Sequence, residues 1–476
     1  MAPRYIIAID NGSQSTKVSI IDSDGEVVCE ARQALRPSNT PRPGVVEHPD
    51  DDIWDSIGAA SRAAMAQFDG DPADIAGVGL CTIRFCRAML RADGSLASPV
   101  LSWMDERVSR PYVPDDPSVR YVTTSSGYVT HRLTGEFRDT AANYQGVWPI
   151  STDRWAWLDD SEGFADYGID RSMLVELVMP GELLGAVTAG AARHTGIRSG
   201  TPVFATANDK AVEALGSGLR SPDELLVSLG TYIAAMSLGT ANRTDASGFW
   251  SNFASTPRDY LYESHGVRRG MWMVSWWRDI LGAEVLGGAA LAGLSPDQFL
   301  DSGAALVSPG SDGLMVMLDW LAPTDQPFRK GSILGFDARH GRFHVHRAIL
   351  EGIALTMARH SRVMARELKR DFTQLILSGG GAQSPLFAQI FADVFDLPVT
   401  RSTVTNGAGL GAAICAAVGS ALHPSWDEAV ARMVHWREPV TPISANHERY
   451  LQLSEVYDVV PQFTDAIYRS SFEIFH

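Results

Sequence analysis

The sequence predicts an α/β fold in which two similar domains face one another. Three observations carry that expectation. At 476 residues, with hydrophobic residues at 45% and charged residues at 20%, the chain is long enough for two large domains of ordinary globular composition. An apolar strand, a glycine–hydroxyl turn and a returning strand open the chain at residues 5–21, and the same arrangement recurs nearly half the chain later at residues 224–238. A third strand, Leu375 to Leu377, runs through a triglycine turn into a helix.

Taken in order, Tyr5 to Ile9 is a continuous apolar run, Asp10 to Thr16 a polar tip, and Lys17 to Ile21 the returning strand. Asp24-Gly25 turns the chain again, so residues 5–33 read as a three-stranded antiparallel meander. Residues 37–49 form a Pro-rich surface loop. Helical periodicity runs from Ile53 to Met65, and Ile75 to Leu80 returns to strand. Pro202 to Ala205 is apolar, and a helix opens at Asp209. The second hairpin turns at Gly230-Thr231, which places a domain boundary near Leu219-Arg220-Ser221-Pro222 and divides the chain into 1–220 and 221–476. A helix from about Ser384 to Phe395 follows the triglycine turn. The Gly- and Ala-rich stretch from Asn406 to Leu422 is a close-packed helix, and His447 to His476 a peripheral one.

Composition narrows the function. A formal charge of −16 repels phosphate backbones and anionic lipid heads, which argues against nucleic-acid binding. Four cysteines without CxxC or zinc-type spacing read as reduced thiols of a cytoplasmic protein. The N-terminus lacks a leader pattern and no run of about 18 apolar residues occurs, so neither export nor a membrane span is expected.

Two carboxylates stand out. Asp10 ends an apolar strand beside a hydroxyl-rich turn, where a buried carboxylate needs a partner. Either a Mg²⁺ ion or its water shell supplies one, or Asp10 is an Asx-turn residue bonded to its own hairpin. Backbone N–H groups from Gly12 through Ser15, with the Ser13 hydroxyl, are placed to cradle phosphate oxygens; Lys17 either adds charge there or is an ordinary strand cation. Asp209 opens a helix, where it either caps the N–H groups or serves as a general base, two roles that are compatible. Gly379, Gly380 and Gly381 at the third strand-to-helix turn would let a planar or anionic ligand approach the backbone.

A signature and eight ordered motifs around it then converge. Residues 331–336 (Gly-Ser-Ile-Leu-Gly-Phe) followed by 344–351 (His-Val-His-Arg-Ala-Ile-Leu-Glu) resemble the C-terminal signature of the FGGY carbohydrate kinases, departing from it at Phe336. Around it stand the Asp10-Asn11-Gly12-Ser13 hairpin, residues 43–48, Trp103-Met104-Asp105-Glu106-Arg107, Leu133-Thr134-Gly135-Glu136, Thr195-Gly196 through Asp209, Ser228-Leu229-Gly230-Thr231, the triglycine turn with Ala382, and residues 409–413. The resemblance implies two actin-like (ribonuclease H-like) domains with ATP and sugar meeting in the cleft. It implies Asp209 as general base and Asp10 as the carboxylate orienting Mg²⁺. Gly12, Ser13, Gln14 and Lys17 fall in the first phosphate loop, and Gly230 and Thr231 in the second. Gly379, Gly380, Gly381, Ala382 and Ser384 fall on the adenosine shelf, and Arg84, Trp103 and Lys210 near the sugar. For Trp103 a core role, and for Asp105 and Arg107 a structural salt bridge, stand equally open. The implied substrate is a pentulose such as xylulose, with glycerol, a tetritol or an aldonate as alternatives, and family members are often homodimers.

The chain departs from the family in several places. Only 25 residues separate Arg107 from Leu133, a short connection on the sugar side. Lys210 directly after Asp209 replaces a common amide and, with Arg84, suggests a cationic pocket for an acidic sugar; alternatively Lys210 pairs with Glu213 in solvent. Two other functions stay open at this point: an actin-like ATPase that cycles to bind partners, and a catalytically inactive sugar sensor.

Overall fold

The computed structural model describes residues 4–323 and 325–475. Its first sheet begins with β1 (Tyr5–Asn11), β2 (Ser15–Asp22) and β3 (Val27–Ala34), the antiparallel meander expected from the sequence. β4 (Ile75–Thr82), β5 (Leu183–Ala186) and β6 (Pro202–Ala205) complete it in the order β5-β6-β4-β1-β2-β3. β1 lies parallel to β4, and β4 to β6. A strand flanked on both edges and covered on both faces has no solvent side, which is why Ile6, Ile7, Ala8 and Ile9 form an unbroken apolar run instead of alternating. Edge strand β3 is mostly exposed.

Helices cover the sheet. α1 (Asp52–Gln67) buries Ile53, Trp54, Ile57, Ala60 and Ala64 at helical spacing against β2 and β3, and Asp52 and Asp55 in its first turn suit the positive helix end. α2 (Ser125–Thr134) ends at Gly135, whose φ of 78° is the left-handed conformation that a C-terminal stop requires. α3 (Asp209–Gly216) follows β6.

The second sheet repeats the plan. β7 (Glu224–Leu229), β8 (Ile233–Gly239), β9 (Phe249–Phe253), β10 (Tyr260–Ser264), β11 (Gln374–Ser378) and β12 (Val399–Arg401) run in the order β9-β10-β8-β7-β11-β12. The core five strands of each sheet thus share one pattern, a hairpin meander on one side of the first strand and two parallel strands on the other. Around it pack α4 (Gly270–Leu281), α5 (Pro296–Ala304), α6 (Arg342–Leu368), α7 (Pro385–Phe395), α8 (Gly407–Gly419) and α9 (Ser444–Phe475).

α8 joins the two sheets. It comes from the second half yet lies against α3 and across β4 and β1 of the first. Glycines permit this. A Cβ on Gly411 would overlap the Val212 carbonyl, one on Gly216 the Gly407 carbonyl, and one on Gly79 the Ala412 carbonyl, so backbone rests directly on backbone. Among the described residues no helix is long and apolar enough to cross a membrane.

Candidate active site

Parallel strands deliver their carboxyl ends to one side of a sheet, and the chemistry-bearing residues sit there. Asp10 is at the end of β1, Arg84 just past β4, Asp209 just past β6, Gly230 past β7 and Gly379 past β11. The Asp10 side chain is only 11% exposed and pairs across the hairpin with Lys17, whose Nζ stands 3.8 Å from Oδ2. Among the described residues no hydrogen bond reaches the Asp10 carboxylate, so it does not make an Asx turn; Asn11 does the local work instead, its Nδ2 donating to Thr16 Oγ1 at 2.7 Å. Burial pushes the Asp10 carboxyl up to about 6, with Lys17 opposing and the charges of Asp209 and Glu213 adding to the rise. Ser13 and Gln14 are exposed at the hairpin tip, which closes through Gly12 N–H donating to the Ser15 carbonyl. Neither Gly12 nor Gly230 has a positive φ, and a Cβ at either meets only ordinary contacts from its own turn.

A largely buried carboxylate that no hydrogen bond holds among the described residues fits a magnesium ion that keeps most of its waters. Among the described residues no group of three or more His, Cys, Asp or Glu side chains could cage a metal unaided.

Asp209 is the first residue of α3, but the cap is its neighbour: Asn208 Oδ1 accepts from Ala211 N–H at 3.1 Å. The capping reading of Asp209 is corrected accordingly, and its carboxylate is left to face the cleft with a single backbone contact, from Lys210 N–H at 3.0 Å. Burial raises the Asp209 pKa, opposed by the charges of Arg84 and Lys210.

The two cations near it are both committed. Arg84 donates Nη1 and Nη2 to Glu263 Oε2 and Oε1 at 2.7 and 2.9 Å, while its Nε lies 3.9 Å from Asp209 Oδ1. Lys210 Nζ donates to Glu213 Oε2 and Ser228 Oγ, each at 2.8 Å, with its side chain 15% exposed. The Lys210–Glu213 pair is therefore present as one reading anticipated, but buried between the halves and not in solvent. Each cation of the pocket expected for an acidic sugar thus already faces a carboxylate.

Behind the second hairpin lies a cavity of about 580 Å³, within the usual range for a small-molecule site. Its walls include Gly230, Thr231, Gly380, Gly381, Ser384 and Asp301. Gly379 has φ 80°, and a Cβ there would come 2.7 Å from the Leu229 carbonyl, so the triglycine turn must be glycine to pass the end of β7. A Cβ on Gly381 would press to 2.8 Å on Met271 Sδ, whereas one on Gly380 would enter open space. Ser384 Oγ caps α7 by accepting from Phe387 N–H at 3.0 Å, and Ala382 is buried beneath the turn. Asp301 is held by His346 Nε2 at 2.8 Å.

Comparison with known proteins settles the family. The N-terminal domain of the FGGY family of carbohydrate kinases matches residues 5–112 and its C-terminal domain residues 225–420. The chain belongs to this family. Over 100% of its length and 97% of the relative's it is 45% identical to the uncharacterized sugar kinase YgcE of Escherichia coli K12. It is 25% identical to the xylulose kinase of Lactococcus lactis, over 97% of each chain. The crystal structure of xylulose kinase from Rhodospirillum rubrum superposes with a TM-score of 0.83 at 24% identity, over 98% of this chain and 100% of that one. This FGGY kinase is thus an enzyme on the two-domain actin-like fold, a phosphotransferase acting on a sugar alcohol group with ATP as donor.

Other expected positions in the FGGY kinase sort by burial. Trp103 is 47% exposed, so it is not a core residue. Asp105 and Arg107 form the structural alternative: Asp105 accepts from Val46 N–H at 2.8 Å and from Arg107, which also reaches Glu47. The short connection from Arg107 to Leu133 closes through a strand at Tyr121–Thr123, paired with Ala88–Leu90, and then α2. The signature at 344–351 is a buried knot, where Glu351 accepts from Gly310 N–H, Ser311, Arg347 and Tyr450. Sequence reading missed Glu263, and it placed the Lys210–Glu213 pair in solvent instead of between the halves. The only available signal for Glu263 was a charged residue inside an otherwise strand-like run at 260–264.

Proposed function

We propose that this enzyme phosphorylates a hydroxyl of a pentulose such as xylulose, with Asp209 as general base. The observation that carries the reading is the release of Asp209 from capping by Asn208, which leaves a half-buried carboxylate of raised pKa at the strand ends shared with Asp10. Such a group, in its carboxylate form, is a stronger base than an exposed aspartate and is suited to take the proton of an attacking hydroxyl. The sugar oxygen then bonds to the γ-phosphorus as the bond to the β-phosphate oxygen breaks, and ADP leaves. Because that transition state is loose, positioning and charge neutralisation dominate.

In this reading Gly12, Ser13, Gln14 and Lys17 hold one side of the phosphate tail, and Gly230 and Thr231 the other. Adenosine lies in the cavity against Gly379, Gly380, Gly381, Ala382 and Ser384; Gly380, whose missing Cβ leaves open space, supports this. Asp10 would orient Mg²⁺, which when bound supplies charge neutralisation on the phosphates. Trp103, exposed beside the Asp105–Arg107 pair, would flank the sugar. Lys210 supports the site through Glu213, and Arg84 through Glu263, instead of touching the sugar as a free charge. The division at residues 1–220 and 221–476 belongs to the same proposal, supported by the change of sheet between β6 and β7.

The choice of a neutral ketose over an aldonate rests on the pairing of Arg84 and Lys210 with carboxylates, and the likeness to the Lactococcus lactis xylulose kinase favours a pentulose over glycerol or a tetritol. An ADP-release screen over ketopentoses, alditols and aldonates tests it. Turnover is expected with a ketopentose, and turnover confined to aldonates or alditols would overturn it.

A further inference from the structure

We propose that Glu263 is a positioning residue for phosphoryl transfer: from the second sheet it grips the Arg84 guanidinium of the first half and sets the Nε edge of that fork towards Asp209. This rests on the reading of Asp209 as base and adds to it what arranges the base.

The geometry is a chain of three charged groups across the cleft. Arg84 follows β4 of the first sheet and is 13% exposed; Glu263 lies inside β10 of the second sheet and its side chain is fully buried. The contact is bidentate, at 2.7 and 2.9 Å, and because a guanidinium is planar, fixing both Nη atoms also fixes Nε. Nε then lies 3.9 Å from Asp209 Oδ1, near enough to favour the carboxylate and too far to bind it in a hydrogen bond. Glu263 is in turn held from its other side by Asn252 Nδ2 at 2.9 Å, and its strand is paired on both edges, so it cannot follow Arg84 if the halves separate. A guanidinium whose charge is shared with Glu263 keeps Asp209 ionised without sealing it. Loss of Glu263 leaves a buried unpaired cation whose nearest other carboxylate is Asp209, and the base would be drawn into a direct pair.

Other groups also bear on Asp209. Lys210 and Glu213 come from its own helix, Asp10 from β1, and the Cys81 and Cys86 thiols from β4 and the loop after it, while Tyr232, from the turn after β7, bears on Arg84 and Glu263. Arg84 is the cation whose loss or release moves Asp209 most, being first among the charges that lower it.

The test uses the full-length enzyme, ATP and the sugar best turned over in the screen, with kcat and KM followed from about pH 5 to about pH 9. For Glu263→Gln, kcat is expected to fall ~10–100-fold with the KM for ATP within ~2-fold, and the acidic limb of the kcat profile to move to lower pH. For Arg84→Gln the same limb is expected to move to higher pH, because Asp209 loses its nearest cation while burial and Glu263 remain. Glu263→Asp should recover part of the rate. Opposite movements from the two members of one ion pair are not produced by a merely structural role. The proposal is overturned if both limbs stay in place, if they move in the same direction, or if Glu263→Gln loses ATP affinity in step with kcat. Should Glu263→Gln lose its cooperative thermal transition, Arg84→Gln decides alone, and an unmoved limb overturns the proposal. An Asp209→Asn variant separates the two readings: full activity there removes the base itself, whereas an inactive Asp209→Asn with unmoved limbs removes only the role of Glu263.

Discussion

At the scale of single residues, the site is a set of carboxylates kept apart in purpose by their surroundings. Asp209 should be indispensable to turnover and dispensable to nucleotide binding, since it lies outside the cavity that would take adenosine. Asp209→Asn is expected to lower kcat by about 10²–10⁴-fold with ADP affinity unchanged, measured by steady-state kinetics and calorimetry. Asp10 makes a different prediction. Its carboxyl is raised from 3.8 to about 6, so between those values the folded enzyme holds a proton that the unfolded chain has released. Stability from this group is greatest below the unfolded value and declines as pH rises through about 6, by about 3 kcal/mol in all. Asp10→Asn should therefore raise the melting temperature of the nucleotide-free enzyme at about pH 8, with little effect at about pH 4, while impairing catalysis; equal melting temperatures at the higher pH would contradict the cause assigned to the shift.

At the scale of elements, glycine spacing decides how closely the halves approach. Gly411 and Gly216 let α8 and α3 meet backbone to backbone, and Gly79 admits α8 to the first sheet. A methyl group at Gly411 has no flexible side chain to push aside, only the Val212 carbonyl. Gly411→Ala is expected to destabilise by at least ~1–3 kcal/mol, read by chemical denaturation, and a neutral result would show that α8 can shift. The Ser384 cap of α7 is worth about 1 kcal/mol, so Ser384→Ala should lower stability by that order and weaken ADP binding at the turn it stiffens. Most elements were legible in the sequence because they are governed by local pattern. The unbroken apolar run of β1, the polar hairpin tip and the Gly- and Ala-rich stretch that became α8 all fell where expected. The capping of α3 was not, since Asn208 and Asp209 are both good caps and only the backbone course out of β6 chooses between them.

At the scale of the whole molecule, two sheets of one pattern leave their strand ends facing a common cleft, with α8 as the packed joint. A kinase built this way gains by excluding water only when the sugar is present. ATP hydrolysis without sugar is expected to be slow, and a fitting ketopentose to raise ADP release by about 10²-fold or more, measured in one continuous assay. Rapid hydrolysis indifferent to sugar would count against closure.

The sequence by itself determined the two-sheet plan, the family, the hairpins, the triglycine turn and the two aspartates, because each is written in a short run of residues whose spacing has a local physical cause. Only the tertiary structure decided which charges are free. Arg84 reads as a free cation near a sugar until Glu263 arrives beside it, and the ion pair that spans 179 positions of chain between Arg84 and Glu263 leaves no periodicity to read, whereas the Lys210–Glu213 pair was one open reading whose burial the fold decided. Electrostatic partnership depends on distance in space and on burial, neither of which a linear pattern records.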